Sequence, residues 1–222
     1  MRKGTGSILV TMLVAGLFAV SSGYALGPVD GEVGVVWWAN EQSMGLDGTS
    51  VGSDADALGG RAEVWLVDRW GVRAGLYRAE NDMLGDEKTD YGSLDVMARV
   101  LSVTERNYLA VGVGWEQIEF GSGAGDETSG LRVIAEGRLG FGGIVYGYGQ
   151  AAYMPSLDDF PGAKDVDGME YDLGVSVEPA PFVSLRVGYR TTTVDFQGDG
   201  ALIAGNYSVE TDGFHAGVGL HF

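Results

Sequence analysis

Cysteine is absent from the 222 residues of the chain, which removes disulfides, thiol nucleophiles and thiolate-bound metals. Long apolar runs are almost absent as well. Outside residues 8–20, every apolar stretch is broken by glycine or a charged residue, so no further segment is suited to cross a membrane as a helix. Basic residues are scarce: taking Arg2 and Lys3 from the 14 leaves 12 against 31 acidic ones, a formal −19. Such a balance argues against nucleic acid as a partner and against a basic patch on an anionic surface. Histidine occurs only as His215 and His221.

Glycine, in contrast, is plentiful, 38 residues with no collagen-like period, against a typical ~7%. Glycines scattered through strands suit close packing inside a narrow barrel and bends at its rim. At the N-terminus, Arg2 and Lys3 precede a 13-residue apolar core at 8–20 and the small residues Ser21, Ser22, Gly23 and Ala25. Thirteen helical residues reach only about 20 Å, short of the ~30 Å hydrocarbon core. The stretch therefore reads as a cleavable signal peptide, 1–25, for Sec-type export, leaving 26–222 as the mature chain.

That mature chain divides into ten alternating segments, at 29–40, 60–67, 72–79, 91–102, 108–120, 131–139, 144–154, 169–178, 182–194 and 207–222. The last is the clearest. Phe214, Ala216, Val218, Leu220 and Phe222 occupy every second position, with His215, Gly217, Gly219 and His221 between them. A period of two marks a β-strand with one apolar face. Likewise Leu94, Val96, Ala98 and Val100 alternate with Ser93, Asp95, Met97 and Arg99. Between segments, long acidic connections (41–59, 80–90, 121–130, 155–168, 195–206) alternate with short ones (68–71, 103–107, 140–143, 179–181).

The apolar row ending in a terminal Phe, together with the alternating long and short links, resembles the small bacterial outer-membrane β-barrel proteins of the OmpA, OmpX and OmpW kind. The resemblance implies an all-β fold: a transmembrane, antiparallel, up-and-down β-barrel in the bacterial outer membrane. Ten strands are read here and eight is the alternative, the segment at 60–67 being the shortest and least regular. It also implies long loops outside, short turns in the periplasm and an even strand count. The row Phe214, Ala216, Val218, Leu220, Phe222 becomes the C-terminal signal read by the barrel assembly machinery. Trp37, Trp70, Tyr91, Tyr108, Tyr189, Tyr207 and Phe222, near strand ends, are expected as an interfacial aromatic girdle.

If the apolar rows face lipid, the opposite rows line the lumen. They carry Glu32, Arg61, Glu63, Arg73, Asp95, Arg99, Glu116, Arg132, Glu136, Arg138, Glu170, Asp172, Arg186 and Arg190. Unpaired buried charges are costly, so these are expected to pair into an ionic network that fills the lumen; a small water-filled pore is the alternative. No catalytic, cofactor or metal site is expected. Omptin proteases hold acidic residues and a His at the outer rim, and lipid A deacylases a His and a Ser on the lipid face, whereas both histidines here have inward parity, away from that rim. Asp165-x-Asp167-Gly168 is only a fragment of a calcium loop. Partners are then outer-membrane lipid and lipopolysaccharide, with divalent cations shared between acidic loops and lipid phosphates, and a monomer is expected. The functional expectation is a non-enzymatic surface scaffold that displays acidic loops; a narrow channel is the alternative, and an outer-membrane hydrolase the third reading.

Overall fold

The computed structural model describes residues 29–46, 49–66, 69–81, 87–104, 106–121, 127–198 and 205–222; the expected signal peptide at 1–25 lies outside them. Ten strands form: β1 (Val29–Leu46), β2 (Thr49–Leu66), β3 (Trp70–Asn81), β4 (Glu87–Thr104), β5 (Asn107–Phe120), β6 (Glu127–Gly140), β7 (Val145–Leu157), β8 (Ala163–Ala180), β9 (Val183–Gly198) and β10 (Gly205–His221). Each pairs antiparallel with its neighbours in sequence, and β1 pairs with β10, closing a barrel. Closure leaves no edge strand along the paired stretch, the condition a sheet must meet in hydrocarbon.

The seam runs from Glu32↔His221 to Leu46↔Tyr207. Beyond it, Gly31 and Phe222 exchange backbone hydrogen bonds of 3.1 and 3.0 Å. The Phe222 ring lies where a Cβ on Gly31 would stand, so a larger residue at 31 would displace that ring. The rim holding Val29 and Phe222, called here the terminal rim, carries the β2–β3, β4–β5, β6–β7 and β8–β9 connections; the opposite, distal rim carries the others.

Outward and inward rows separate cleanly. Trp37 is 51% exposed, while its neighbour Trp38 is fully buried. Leu94, Val96, Val111, Val113, Leu173, Val187, Phe214 and Val218 all stand exposed on the outer wall. Together they make an apolar belt on the outer wall, and a large exposed patch of this kind marks a surface that meets something other than water. The inward rows hold the buried charges.

Three expectations need correction. The eight-strand alternative is excluded, and the segment at 60–67 belongs to one of the longest strands, not the shortest. The connection read at 41–59 is instead a continuous β1–β2 ladder from Glu41↔Asp54 to Leu46↔Thr49. Third, Tyr91, Tyr108 and Tyr207 are not girdle residues: the first two are buried in the lumen and Tyr207, on the inward row of β10, stacks on Phe196 at 5.3 Å, whereas Trp37, Trp70, Tyr189 and Phe222 do stand outside.

Above the belt the two faces exchange character. On β5, Val111, Val113 and Trp115 point out, followed by Gln117 and Glu119; inward, Glu116 is followed by Ile118 and Phe120. The wall has left the apolar zone there, so water-facing positions turn polar and the enclosed ones turn apolar. Such an inversion erases the hydropathy signal of a membrane strand, so the distal strand ends resemble loops. Outward pairs here include Glu80–Lys88 at 2.5 Å, and the Lys88 ammonium holds the Glu80 carboxyl below its usual range. Exposed pairs of this kind add little stability.

Candidate functional site

Among the described residues, the chemistry-bearing side chains converge in the lumen, and it is stratified. Nearest the terminal rim, Glu63 accepts hydrogen bonds from Arg61 (2.7 Å), Arg73 (2.9 Å), Arg138 (2.7 Å) and the Trp65 indole (2.5 Å). Glu136 accepts from Arg138 (2.9 Å), from the Tyr108 hydroxyl (2.7 Å) and from Arg73. Register explains the gathering. Glu63 and Arg73 are partners across β2 and β3, while Arg138 reaches Glu63 from the far wall. Arg99 stacks between Trp65 and Tyr108, 4.1 and 4.3 Å from the ring centroids, with Asp30 at 4.0 Å.

A second cluster lies at mid-height. Arg132 contacts Glu116 (2.5 Å), Glu170 (3.0 Å) and Asp95 (3.3 Å), and Arg190 adds a bond of 2.9 Å to Glu170. Gln150 joins the two clusters: its carbonyl accepts from Arg73 (2.6 Å) and its amide donates to Glu170 (2.8 Å). Beside them, His215 Nε2 lies 2.9 Å from Asp172 and 3.2 Å from the Tyr148 hydroxyl. So Asp172 is held by a histidine rather than by an arginine.

Over this polar zone sits an apolar cap. Trp38, Tyr91, Ile118, Met154, Leu157, Val166 and Val194 form one buried cluster, overlain by Tyr77, Phe120, Phe160 and Phe196. Phe160 bridges Phe120 and Phe196 at 5.7 and 5.4 Å between centroids, spacings at which aromatic rings attract. The cap lies under the distal rim and was not expected, because its residues fall where the hydropathy phase inverts.

Contacts cross the barrel at each level. Arg138–Glu63 ties β6 to β2, Arg73–Gln150 ties β3 to β7, and Tyr91 meets Thr211 at 3.0 Å to tie β4 to β10. Each pair has three intervening strands on the shorter way round. Arg190 also reaches across, 4.2 Å from the Tyr77 ring.

The structure therefore brings together thirteen of the fourteen charges assigned to the lumen: Arg61, Glu63, Arg73, Asp95, Glu116, Arg132, Glu136, Arg138, Glu170 and Arg190 directly, Arg99 through Asp30, Asp172 through His215 and Glu32 through His221. It does not do so for Arg186, which stacks 4.3 Å above Tyr148 with no carboxylate of the described residues at ion-pair distance. Gln150 and Tyr148 were missed, although the row Tyr146, Tyr148, Gln150 alternates with Gly147, Gly149 and Ala151 and so announces which side is enclosed. Phe214, Ala216, Val218, Leu220 and Phe222 form the outward row of β10 and the chain end. Among the described residues, no three His, Asp or Glu side chains converge so as to hold a metal ion.

No family model and no curated protein matches the sequence. Solved structures do. The outer membrane protease OmpT from Escherichia coli aligns with a TM-score of 0.52 at 10% identity, covering 89% of this chain and 97% of that one. Neisserial surface protein A aligns at 0.40 and 14%, covering 87% and 97%. Ail, the attachment invasion locus protein of Yersinia pestis, aligns at 0.32 and 13%, covering 86% and 99%. At such identities the likeness is one of fold. The chain is an all-β protein with the closed, antiparallel, ten-stranded up-and-down barrel of small outer-membrane proteins.

Proposed function

We propose that the protein is an integral protein of a bacterial outer membrane, exported by its signal peptide, and that it acts as a closed scaffold carrying its distal strand extensions and acidic connections above the lipid. The observation that carries this reading is the set of contacts across the lumen: Arg138–Glu63, Arg73–Gln150 and Tyr91–Thr211 block the axis at three levels. A pore that conducts ions needs a continuous wet path along its axis. Here buried ion pairs and an aromatic cap stand in that path.

The scaffold reading is non-enzymatic. A general base must reach the proton it removes, and neither histidine is placed to meet an external substrate. His215 is buried at mid-lumen, and His221 lies on the terminal rim, 3.2 Å from Glu32. In this reading the outward row of β10 serves the assembly machinery. The lipid partner is outer-membrane lipid, including lipopolysaccharide, with divalent cations shared between acidic side chains and lipid phosphates. The molecule works as a monomer.

Planar-bilayer recording of the purified, folded protein tests the scaffold against the channel. The expected trace is flat, with no sustained openings. Sustained, ion-selective openings that persist after repurification would contradict the blocked lumen and favour a channel.

A further inference from the structure

The distal end of the barrel is not level. β3 stops at Asn81, paired with Ala55, and its hairpin with β4 closes at Asn81↔Glu87. The β1–β2 ladder continues to Leu46↔Thr49, and β10 follows β1 as far as Tyr207. The inward rows of β1 and β2 therefore run on beyond the last rung of β3, and Met44, Leu46 and Val51 stand there 48%, 40% and 62% exposed. Tyr207, the partner of Leu46 across the seam, stacks on Phe196 at 5.3 Å; the row goes on through Phe160 (5.4 Å) to Phe120 (5.7 Å). All four rings are only half-buried. Between this apolar shelf and the outer belt, the outward positions carry Glu41, Asp54, Glu210 and Asp212, so hydrocarbon does not reach the shelf.

Charge and spacing identify what fits there. Asp158, Asp159 and Asp165 flank Phe160, Glu119 precedes Phe120 and Asp195 precedes Phe196, all of them exposed. The described cations at this end are Arg78, Lys88 and Lys164; Asp90 engages Arg78 at 2.6 Å and Glu80 engages Lys88 at 2.5 Å. Asp167 and Asp195 are even register partners, and burial together with the Asp195 charge pushes the Asp167 carboxyl up. Anionic lipid heads, nucleic acid and a second copy of this acidic chain are all repelled by such a rim, while a cationic partner is drawn to it. Aromatic faces hold ammonium and guanidinium groups as well. The steps between rings, 5.3 to 5.7 Å, match the spacing of about 5–6 Å between side chains one turn apart on a helix.

We propose that the shelf docks a basic amphipathic helix of another polypeptide, its apolar stripe on Met44, Val51 and the four rings and its lysines or arginines on the surrounding carboxylates. Recognition is then of the helix-in-groove kind, with apolar anchors repeating every turn. The proposal rests on the scaffold reading, which places the distal end above the lipid.

A fluorescein-labelled synthetic helix of leucine and lysine, titrated with the protein in phosphatidylcholine nanodiscs and read by anisotropy, tests the docking. Saturable binding above that of protein-free discs is expected, weakening as salt is raised, with none for the analogue that carries glutamate in place of lysine. Met44→Ser and Val51→Ser should each weaken binding roughly fivefold, the loss of about half a buried side chain. Both positions stand clear of the cap, so the urea midpoint of each variant should stay at the parent value. Equal signal from protein-free discs, equal affinity for the glutamate analogue, or serine variants that bind like the parent would overturn the proposal. So would a second copy of the chain taking the shelf, seen as a concentration-dependent dimer in detergent. The titration reads docking whether or not the lumen conducts: a null result fails the docking alone, whereas current in planar bilayers fails the scaffold alone.

Discussion

Arg132→Met is expected to destabilise the folded barrel by about 3–5 kcal/mol, the range for breaking a buried ion pair from one side. Methionine retains the apolar stem of arginine but not the guanidinium. What changes is the charge at the centre of the mid-lumen cluster. Arg132 is 2% exposed and touches Asp95, Glu116 and Glu170; without it, Glu170 keeps Arg190 while Asp95 and Glu116 lose their ion pair. Equilibrium urea unfolding in detergent or liposomes reads the loss directly. Lowering the pH should narrow the gap between variant and parent, since protonation discharges the carboxylates that arginine had been offsetting. A loss below about 1 kcal/mol, within the range of exposed pairs, would mean that water reaches the cluster and that the lumen is open.

Val113→Arg probes the other face and is expected to cost about 2–4 kcal/mol, the penalty for a cation on the lipid side at mid-depth. Val113 lies within the outer belt, 56% exposed, between the exposed Val96 of β4 and Val133 of β6. On a water-facing strand the same change would be nearly neutral, because surface substitutions usually stay within about 0.5 kcal/mol. Val113→Leu serves as the control and should leave liposome refolding unchanged. If arginine were tolerated equally well, the belt would have to face something other than hydrocarbon.

Strand number, facing and closure were readable because they rest on a single periodicity: a residue between lipid and an enclosed lumen must choose one or the other. The row from Phe214 to Phe222 shows this most plainly. Its partner across the seam, the row of Val33, Val35 and Trp37 on β1, obeys the same rule. The choice weakens where both environments change. At Glu41–Leu46 and Thr49–Asp54 the outside is aqueous, so polar residues occupy both faces and the β1–β2 ladder looks like a loop. At Ile118, Met154 and Val194 the enclosed face is apolar, opposite to the lumen below. A reading that assigns one face to lipid throughout misses the cap for that reason.

Within the lumen, the arginines and carboxylates were foreseeable as a set because parity alone places them inside. Their partners were not. Glu63 pairs with Arg138 on the opposite wall, and Gln150 links two clusters from strands far apart in sequence. These contacts depend on barrel diameter and strand tilt, which no local spacing encodes. Arg186 makes the same point from the other direction: parity puts it inside, yet it stacks on Tyr148 with no carboxylate of the described residues at ion-pair distance.

The chain supplies its own pair of probes for the two environments. Trp37 and Trp38 are consecutive, one on the outer belt and the other buried beneath the distal cap. Two single-tryptophan proteins, retaining one or the other with the remaining four changed to phenylalanine, can be folded into vesicles of brominated phosphatidylcholine and titrated with acrylamide. Trp37 should be quenched strongly by the brominated chains, and Trp38 weakly by both quenchers. Strong acrylamide quenching of Trp38, or a Trp37 that brominated lipid leaves bright, would contradict a sealed barrel with its oily wall turned to the membrane.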